Sequence, residues 1–406
     1  MPEKQWVLTD VASGVWRENF VAGPNQLPDN DKPRDWFPTG VNWGIRRNVL
    51  RGGLSEGVEV VELNNGKLSV SVLPTRGMGL WKGTYNGLFL GWHSPVKAPV
   101  NPAFVNQVER GGLGWLSGFN EWMCRCGLDS NGAPGNDVIL NNEGHPVSTS
   151  LTLHGKIANT PAHKVMAALS SNPKPKISVT GVMDESMLFG PALRLKSTVE
   201  SELGSNSLVL IDEVTNMRGV PAELELLYHT NMGPPFLEKE AKVVAPVIEV
   251  APRDARAVEG MAQYDVYSEP IAGYTEQCYW MNLLADKEQK TLVLLRNAHG
   301  DKGISLHFSK MELPCFTIWK NTQAEADGYV TGLEPATNYP NLKTFERKQG
   351  RVITLPPGGT YKATLEIQIH DDPHGVAAVE EKIQALQKTQ KPVLHQTPQG
   401  KFSPVG

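Results

Sequence analysis

The sequence contains few cysteines and no long apolar segment. Four cysteines among 406 residues are too few for a disulfide framework, and Cys124 and Cys126 do not have the spacing of a zinc knuckle. We therefore expect free and mostly buried thiols. No apolar run approaches the roughly 20 residues that a membrane helix needs, and the first twenty residues lack the basic start and apolar stretch of a secretion signal. These absences predict a cytoplasmic protein without a membrane span.

Positive charge is also sparse. The formal net charge is -4, with 39 Lys and Arg against 43 Asp and Glu, and the basic residues form no continuous block. Such a chain has no electrostatic footprint for nucleic acid or for an anionic membrane surface. A neutral or weakly charged ligand fits this composition better.

The sequence lacks the alternation of strands with amphipathic helices that indicates a parallel sheet. Instead, apolar residues alternate with period two, for example in 68–72 and in 361–369. Asn65-Gly66 and Gly204-Ser205-Asn206 lie between such segments, which predicts hairpins and antiparallel pairing. Together with scattered Gly and Pro, the pattern predicts an all-β fold with one large antiparallel sandwich.

Four parts of the chain differ in pattern. Residues 1–45 hold several tryptophans among Gly, Pro and Asp, and we expect an irregular segment that wraps the core. Residues 46–370 form the predicted β domain. In 371–391 apolar residues recur at helical spacing, which predicts a C-terminal helix docked on a sheet. Residues 392–406 are rich in proline and polar residues, which is typical of a flexible tail or of an arm onto a second copy in a homodimer.

Glu334 and His229 are the candidates for acid–base chemistry. Such chemistry near neutral pH needs one group that holds a proton and one that lacks it, as a carboxyl and an imidazole can. Pro335 holds Glu334 in an extended conformation. The side chains of His229 and Asn231 share one face of a predicted strand, where the amide can bind a hydroxyl beside the imidazole. A core histidine and an exposed turn glutamate would give the same pattern.

Four other residues are candidates for ligand binding. Arg76 ends a predicted strand beside glycines, where a guanidinium can bind sugar hydroxyls or pair with a structural carboxylate. His154 precedes a glycine, so its backbone can turn or approach a ligand, although a surface or capping role is equally simple. Trp319 offers a plane on which a sugar can stack, or it belongs to the core, and Lys320 adds an ammonium group.

Signals for a metal or a nucleotide are weak. His145, His154 and His163 recur every nine residues, but no acidic residue stands at ligand spacing, so we predict no metal site. Gly111-Gly112-Leu113-Gly114 lacks both the GxGxxG pattern and the lysine of a phosphate loop. The sequence therefore predicts no cofactor.

Five segments, taken in order, resemble those of the aldose 1-epimerase-like proteins, the galactose mutarotase superfamily. They are Arg76-Gly77-Met78, Leu153-His154-Gly155, Leu227-Tyr228-His229-Thr230-Asn231-Met232-Gly233, Trp319-Lys320 and Gly332-Leu333-Glu334-Pro335. The chain most resembles the bacterial branch known as domain of unknown function 4432, over residues 45 to 370. The resemblance implies a β-supersandwich with a sugar cleft across its concave face and interconversion of the α and β anomers of a free aldose.

The resemblance also implies roles for single residues. Glu334 is similar to the general base that takes the proton from the anomeric hydroxyl, and His229 to the general acid that protonates the ring oxygen. No cofactor is implied, because paired proton transfers suffice for ring opening. The sugar-binding residues that the resemblance implies or allows are His154, Arg76, Asn231 and Lys320.

A typical mutarotase also carries an aspartate that binds sugar hydroxyls, and Asp265 is the candidate for it here. Two other functions on the same fold stay open. One is a non-catalytic carbohydrate-binding or regulatory protein, and the other is a different proton-transfer enzyme, such as a lyase or an epimerase. In each case the expected partner is a monosaccharide or a sugar derivative.

Overall fold

A computed structural model describes residues 3–24, 41–171 and 173–404. Within these residues nearly all strands lie in two large β-sheets, which share one hydrophobic core. The predicted all-β fold is confirmed.

Ten strands form the first sheet, and every neighbouring pair in it is antiparallel. In spatial order the strands are β17 (Lys242–Val244), β20 (Lys290–Arg296), β21 (Gly303–Ser309), β25 (Thr360–His370), β15 (Ser207–Asn216), β14 (Ala192–Glu202), β13 (Lys176–Ser186), β12 (Lys164–Ser170), β1 (Glu3–Asp10) and β2 (Val15–Trp16).

The second sheet is larger and carries the central strands of interest. In spatial order they are β26 (Val393–Leu394), β18 (Val247–Pro252), β19 (Gln277–Leu283), β22 (Cys315–Asn321), β23 (Val330–Ala336), β16 (Ala222–Met232), β9 (Met123–Leu128), β7 (Gly79–Tyr85), β6 (Leu68–Leu73), β5 (Glu59–Asn64), β4 (Gly44–Val49) and β3 (Phe20–Ala22). Two short strands extend it, β8 (Leu88–Leu90) beside β7 and β24 (Ile353–Leu355) beside β16. A separate hairpin pairs β10 (Gly135–Leu140) with β11 (Pro146–Leu151).

The hairpin predicted at Asn65-Gly66 joins β5 to β6, which pair antiparallel. The Asn65 side-chain oxygen accepts hydrogen bonds from the backbone N–H groups of Lys67 and Leu68, at 2.9 and 2.7 Å. Gly66 has a φ of 101°, a conformation that glycine adopts without steric cost. The local sequence thus fixes this turn.

A buried polar cluster joins the two sheets. Arg125 on β9 pairs with Asp212 on β15, and the Tyr228 hydroxyl on β16 donates to the same carboxylate at 2.9 Å. Each of these residues is at most 1% exposed. The cluster therefore ties the strand that carries His229 to the opposite sheet.

The predicted C-terminal helix is confirmed as α4 (Pro373–Gln387). The Asp372 side chain caps it by accepting from the Gly375 N–H at 2.8 Å, and Pro373 occupies its first turn. Its buried residues, Val376, Val379 and Ile383, pack with Leu292 and Leu294 of β20. The described residues also contain three shorter α-helices: α1 (Glu109–Gly112), α2 (Ala255–Glu259) and α3 (Lys343–Lys348). Nowhere in this described part of the chain is a helix long and apolar enough to cross a membrane.

The two ends of the chain differ from expectation. Residues 3–24 contain β1, β2 and β3, so the predicted irregular segment is wrong there, while residues 25–40 lie outside the described part. The flexible tail is wrong for residues 392–404, because β26 pairs with β18 and Phe402 is only 5% exposed. Apolar side chains in this short segment, such as Phe402, pack against the rest of the same chain and so hold the segment in place. The domain boundaries and the homodimer stay predictions.

Candidate active site

Two adjacent strands of the second sheet bring the predicted acid and base together. The Nε2 atom of His229 on β16 lies 3.3 Å from Oε1 of Glu334 on β23, although the residues are far apart in sequence. Gly332 makes room for this contact, because a Cβ there would lie 2.7 Å from Glu334 Oε1 and 3.0 Å from His229 Cε1. The pair thus depends on a position without a side chain.

Asn231 fixes the orientation of the His229 ring. Its side-chain nitrogen donates to the carbonyls of Glu121 and His229, at 3.0 and 3.1 Å, so its oxygen faces His229 Nδ1 at 2.6 Å. Nδ1 therefore carries the hydrogen, and Nε2, the nitrogen nearer to Glu334, is left as the acceptor. Burial, with a smaller contribution from His154, holds the pKa of His229 well below its usual value, against the opposing effect of the hydrogen bond that His229 donates to Asn231. The imidazole is thus neutral at neutral pH.

The same surroundings favour the protonated form of Glu334. Its side chain is 2% exposed, and burial raises its pKa well above the usual value. The negative charge of Glu276 adds to this rise, while the positive charge of Arg253 opposes it. Burial thus favours the neutral form of both groups, a carboxyl at Glu334 beside an imidazole at His229.

His154 sits beside the pair in a tight turn. Its φ is 59°, and its Nδ1 lies 2.9 Å from the Asn131 carbonyl, which can only accept. Nε2 is therefore the acceptor of this ring. Burial lowers the pKa of His154 to about 4, so the ring is neutral at pH 7. The rings of His154 and His229 have centroids 5.3 Å apart, which places a second neutral imidazole at the site.

Aromatic rings enclose His229. Trp319 and Phe119 lie edge-on to it, with ring centroids 5.3 and 5.2 Å away, and Trp115 lies 6.2 Å away. Trp115 is 1% exposed, and among the described residues its indole nitrogen has no hydrogen-bond partner. This N–H is a buried donor without a partner beside the pair. No sequence motif indicated Trp115 or Phe119, because their loop becomes part of the site only through folding.

An acidic residue that the sequence analysis missed borders Trp319. Glu276 accepts from the Trp319 indole nitrogen at 2.7 Å and from Arg253 at 2.9 Å, and its side chain is 42% exposed. It directly precedes β19, which pairs with β22 and so with Trp319. Asp265, the sequence-based candidate for an acidic sugar ligand, pairs instead with Lys242 at 3.4 Å. Only the strand order identifies Glu276.

The family model for "Domain of unknown function (DUF4432)" matches residues 55–369, which is most of the chain. The chain belongs to this family. Every residue of the site described above lies within the matched part of this DUF4432 protein. No curated protein matches it.

Solved structures show what the DUF4432 chain resembles. A putative aldose 1-epimerase from Klebsiella pneumoniae is 36% identical, with a TM-score of 0.89, covering 98% of this chain and 99% of that one. A galactose mutarotase-like protein from Clostridium acetobutylicum is 16% identical, with a TM-score of 0.55 over 80% of this chain and 98% of its own. Galactose 1-epimerase from Lactobacillus acidophilus is 13% identical, with a TM-score of 0.50 over 81% and 99%. The fold is a galactose mutarotase-like β-sandwich.

Arg76 supports the site of this DUF4432 protein from behind, which corrects its predicted contact with sugar. Its guanidinium donates to Glu121 at 2.6 Å, to Asn159 at 2.8 Å, and to the carbonyls of Val100 and Gly118. The side chain is 1% exposed. These protein acceptors occupy the guanidinium, which leaves Arg76 to hold the segment before β9.

Lys320 and Asn231 also differ from the predicted sugar contacts. Lys320 donates to the carbonyls of Gln263 and Val266 and packs over Tyr267, on the opposite face of β22 from Trp319. Burial lowers its pKa to about 8. The amide of Asn231 is engaged with His229 and the backbone, so it positions the imidazole.

The described residues contain no cluster of His, Cys, Asp and Glu that could hold a metal ion.

Proposed function

We propose that this protein is an aldose 1-epimerase-like isomerase that interconverts the anomers of a free sugar or sugar derivative. The observation that supports this most is the 3.3 Å contact between His229 Nε2 and Glu334 Oε1, two groups whose neutral forms burial favours. Ring opening needs one group to give a proton to the ring oxygen and another to take the proton of the anomeric hydroxyl. A protonated carboxyl beside a neutral imidazole meets that need.

The resting proton lies on Glu334, which is the reverse of the starting roles that the resemblance implies. In this proposal Glu334 gives its proton to the ring oxygen, while His229 Nε2 takes the proton of the anomeric hydroxyl. After rotation about the C1–C2 bond the two transfers run backward and the ring closes as the other anomer. Because the pair ends as it began, the reaction consumes no co-reactant.

The neighbours of the pair suit a sugar. His154, Trp319 and Glu276 are partly exposed, so a sugar would approach Glu334 past them. The Trp319 ring offers a surface for the C–H face of a pyranose, as dispersion favours. The Glu276 carboxylate and His154 Nε2 are acceptors for hydroxyl groups, and the indole N–H of Trp115 is a donor. We infer that these four residues bind the sugar.

The comparison with the Klebsiella pneumoniae protein supports the isomerase class. That protein is named a putative aldose 1-epimerase. It is 36% identical to this chain, and the match extends over almost the whole of both chains. The two structures below 25% identity support the fold alone. The proposal therefore rests first on the geometry of the pair.

The test is anomer exchange measured by polarimetry and by saturation-transfer NMR across a panel of aldoses. We expect exchange faster than in buffer, and we expect Glu334→Gln and His229→Ala each to reduce it by about 10²-fold or more, the usual contribution of a general acid or base. Glu213→Gln and His145→Ala, which change partly or largely exposed side chains, are matched controls that keep the activity. Exchange at the buffer rate throughout the panel would contradict the proposal.

A non-catalytic carbohydrate-binding protein is the second candidate. The 2% exposure of Glu334 and the 4% exposure of His229 favour it, because reacting atoms must reach both groups. Sugar binding without exchange, together with unchanged affinity in Glu334→Gln, would support this function and exclude the first.

A further inference from the structure

A cavity lies outside the candidate active site, where β7 and β8 meet the segment before β9. Its volume is about 190 Å³, and it is open to solvent on one side. Pockets for drug-sized ligands measure about 300–1,000 Å³, so this one suits a smaller molecule. Its walls include Trp81, Lys82, Phe89, Trp92, Lys97 and Asn120.

Flat aromatic surfaces form much of the wall. The ammonium group of Lys82 lies 4.1 Å from the centre of the Trp81 ring, and the rings of Phe89 and His93 stack in parallel with centroids 5.2 Å apart. Trp92 forms an inner wall and is 8% exposed. Aromatic faces of this kind attract the C–H face of a pyranose through dispersion.

The charge of the cavity is positive. Lys82 and Lys97 are both exposed and line it, and none of the described residues in its wall is acidic. This local charge contrasts with the formal net charge of -4 of the whole chain. Two ammonium groups at the rim of a small cavity favour an anionic ligand.

Asn120 is the polar residue of the inner wall. It is 4% exposed, and its side-chain nitrogen donates to the Val96 carbonyl at 3.2 Å. Its side-chain oxygen has no hydrogen-bond partner among the described residues. A buried acceptor without a donor is unfavourable, and a hydroxyl of a bound ligand that reaches it would supply that donor.

Residues 119–121 separate this cavity from the acid–base pair. The Phe119 ring lies against His229, whereas Asn120 lines the cavity. The Glu121 carbonyl accepts from Trp92 on one side and from Asn231 on the other, both at 3.0 Å. The two sites share a wall but have different lining residues.

We propose that this cavity binds a monosaccharide carrying one anionic group, a phosphate or a carboxylate, as a site separate from the candidate active site. The aromatic faces bind the ring, Lys82 and Lys97 bind the anion, and the Asn120 oxygen accepts from a hydroxyl. This inference does not depend on the acid–base pair, so either proposal can fail without the other.

Isothermal titration of the full chain with glucose 6-phosphate, glucuronate, glucose and inorganic phosphate tests the proposal. We expect one or both anionic sugars to bind about tenfold or more tightly than glucose or phosphate, and the better of the two identifies the anion. Lys82→Gln combined with Lys97→Gln weakens that binding about tenfold or more, since each 1.4 kcal/mol of lost attraction is tenfold. Lys348→Gln combined with Lys388→Gln, which removes exposed lysines elsewhere, leaves it unchanged.

Three outcomes would overturn the proposal. The first is no heat from either anionic sugar at millimolar concentration. The second is binding that survives the Lys82 and Lys97 changes and is lost in Trp319→Ala, because the ligand then occupies the active site. The third is equally tight binding of inorganic phosphate, because the ring would then contribute nothing.

Discussion

Central strands of the two sheets differ in how they meet solvent. In β15 of the first sheet, buried residues alternate with half-exposed ones along the whole strand. In β9 and β23 of the second sheet every residue is buried, and in β16 all but one. A sheet buried on both faces must supply partners for any polar side chain on its outer face. In the second sheet that face carries the acid–base pair, whose shifted pKa values follow from the same burial.

The polar cluster between the sheets gives the largest expected effect on stability. Asp212 and Glu213 are neighbours on β15, but Asp212 faces Arg125 in the core while Glu213 pairs with Lys196 at the surface. Asp212→Ala leaves the Arg125 charge buried without its partner, so we expect a loss of about 3–5 kcal/mol in the free energy of unfolding. Glu213→Ala loses at most about 1 kcal/mol, as exposed pairs do.

Urea denaturation of both variants measures this difference. Because the two residues are adjacent on one strand, backbone propensity and strand pairing are matched. The difference between the two losses therefore reports whether the side chain faces the core or the surface. Equal losses in both variants would show that the buried pair contributes no more than the exposed one.

Gly332 gives the next largest effect, on the outer face of the second sheet. In Gly332→Ala the added Cβ meets Glu334, His229 and Trp319, at 2.7, 3.0 and 3.2 Å from their nearest atoms. If the protein exchanges anomers, we expect a reduction of about 10²-fold in the rate, since small displacements of reacting groups have effects of that size. Gly219→Ala is the control, because nothing lies within 4 Å of a Cβ there. Wild-type activity in Gly332→Ala would show that the reaction does not depend on the arrangement of Glu334 and His229.

Period-two alternation predicted β13, β14, β15 and β25 of the first sheet well, because one face of these strands is partly exposed and every second residue on them is therefore mostly polar. Turn chemistry at Asn65-Gly66 predicted a hairpin of the second sheet. The tail after α4 was predicted poorly, since a few apolar residues such as Phe402 suffice to dock a short segment when a complementary surface is present. Composition does not report that surface.

Side-chain direction explains the residues that were placed wrongly in the site. Trp319 and Lys320 are adjacent on one strand, so they point to opposite faces, and only one of them can border the pair. Arg76 has the residue type of a ligand-binding position, but its partner Glu121 lies 45 residues away and is visible only in the structure. Glu276 carries no sequence motif, and the pairing of β19 with β22 alone brings it to Trp319.

Acid sensitivity gives the smallest of these effects and tests the burial of the site. The pKa of His154 is lowered to about 4, from about 6.5 in an unfolded chain. Above pH 6.5 both states are neutral and the stabilisation is complete. As the pH falls from 6.5 toward 4, the unfolded state takes up a proton that the folded state does not, so the free energy of unfolding falls. His154→Asn should reduce this loss by on the order of 1–2 kcal/mol.

Asparagine is the substitution of choice at 154 because it tolerates the left-handed φ of 59° and does not titrate. His145→Asn is the matched control, since the side chain of His145 is 76% exposed. Urea denaturation at several pH values between 7 and 4 gives the slope for each variant. If His154→Asn loses as much stability as the unmodified protein over this range, the imidazole is solvated. The second sheet would then be open to solvent at the acid–base pair. Catalysis on a sugar requires such an opening, whereas a closed binding site does not.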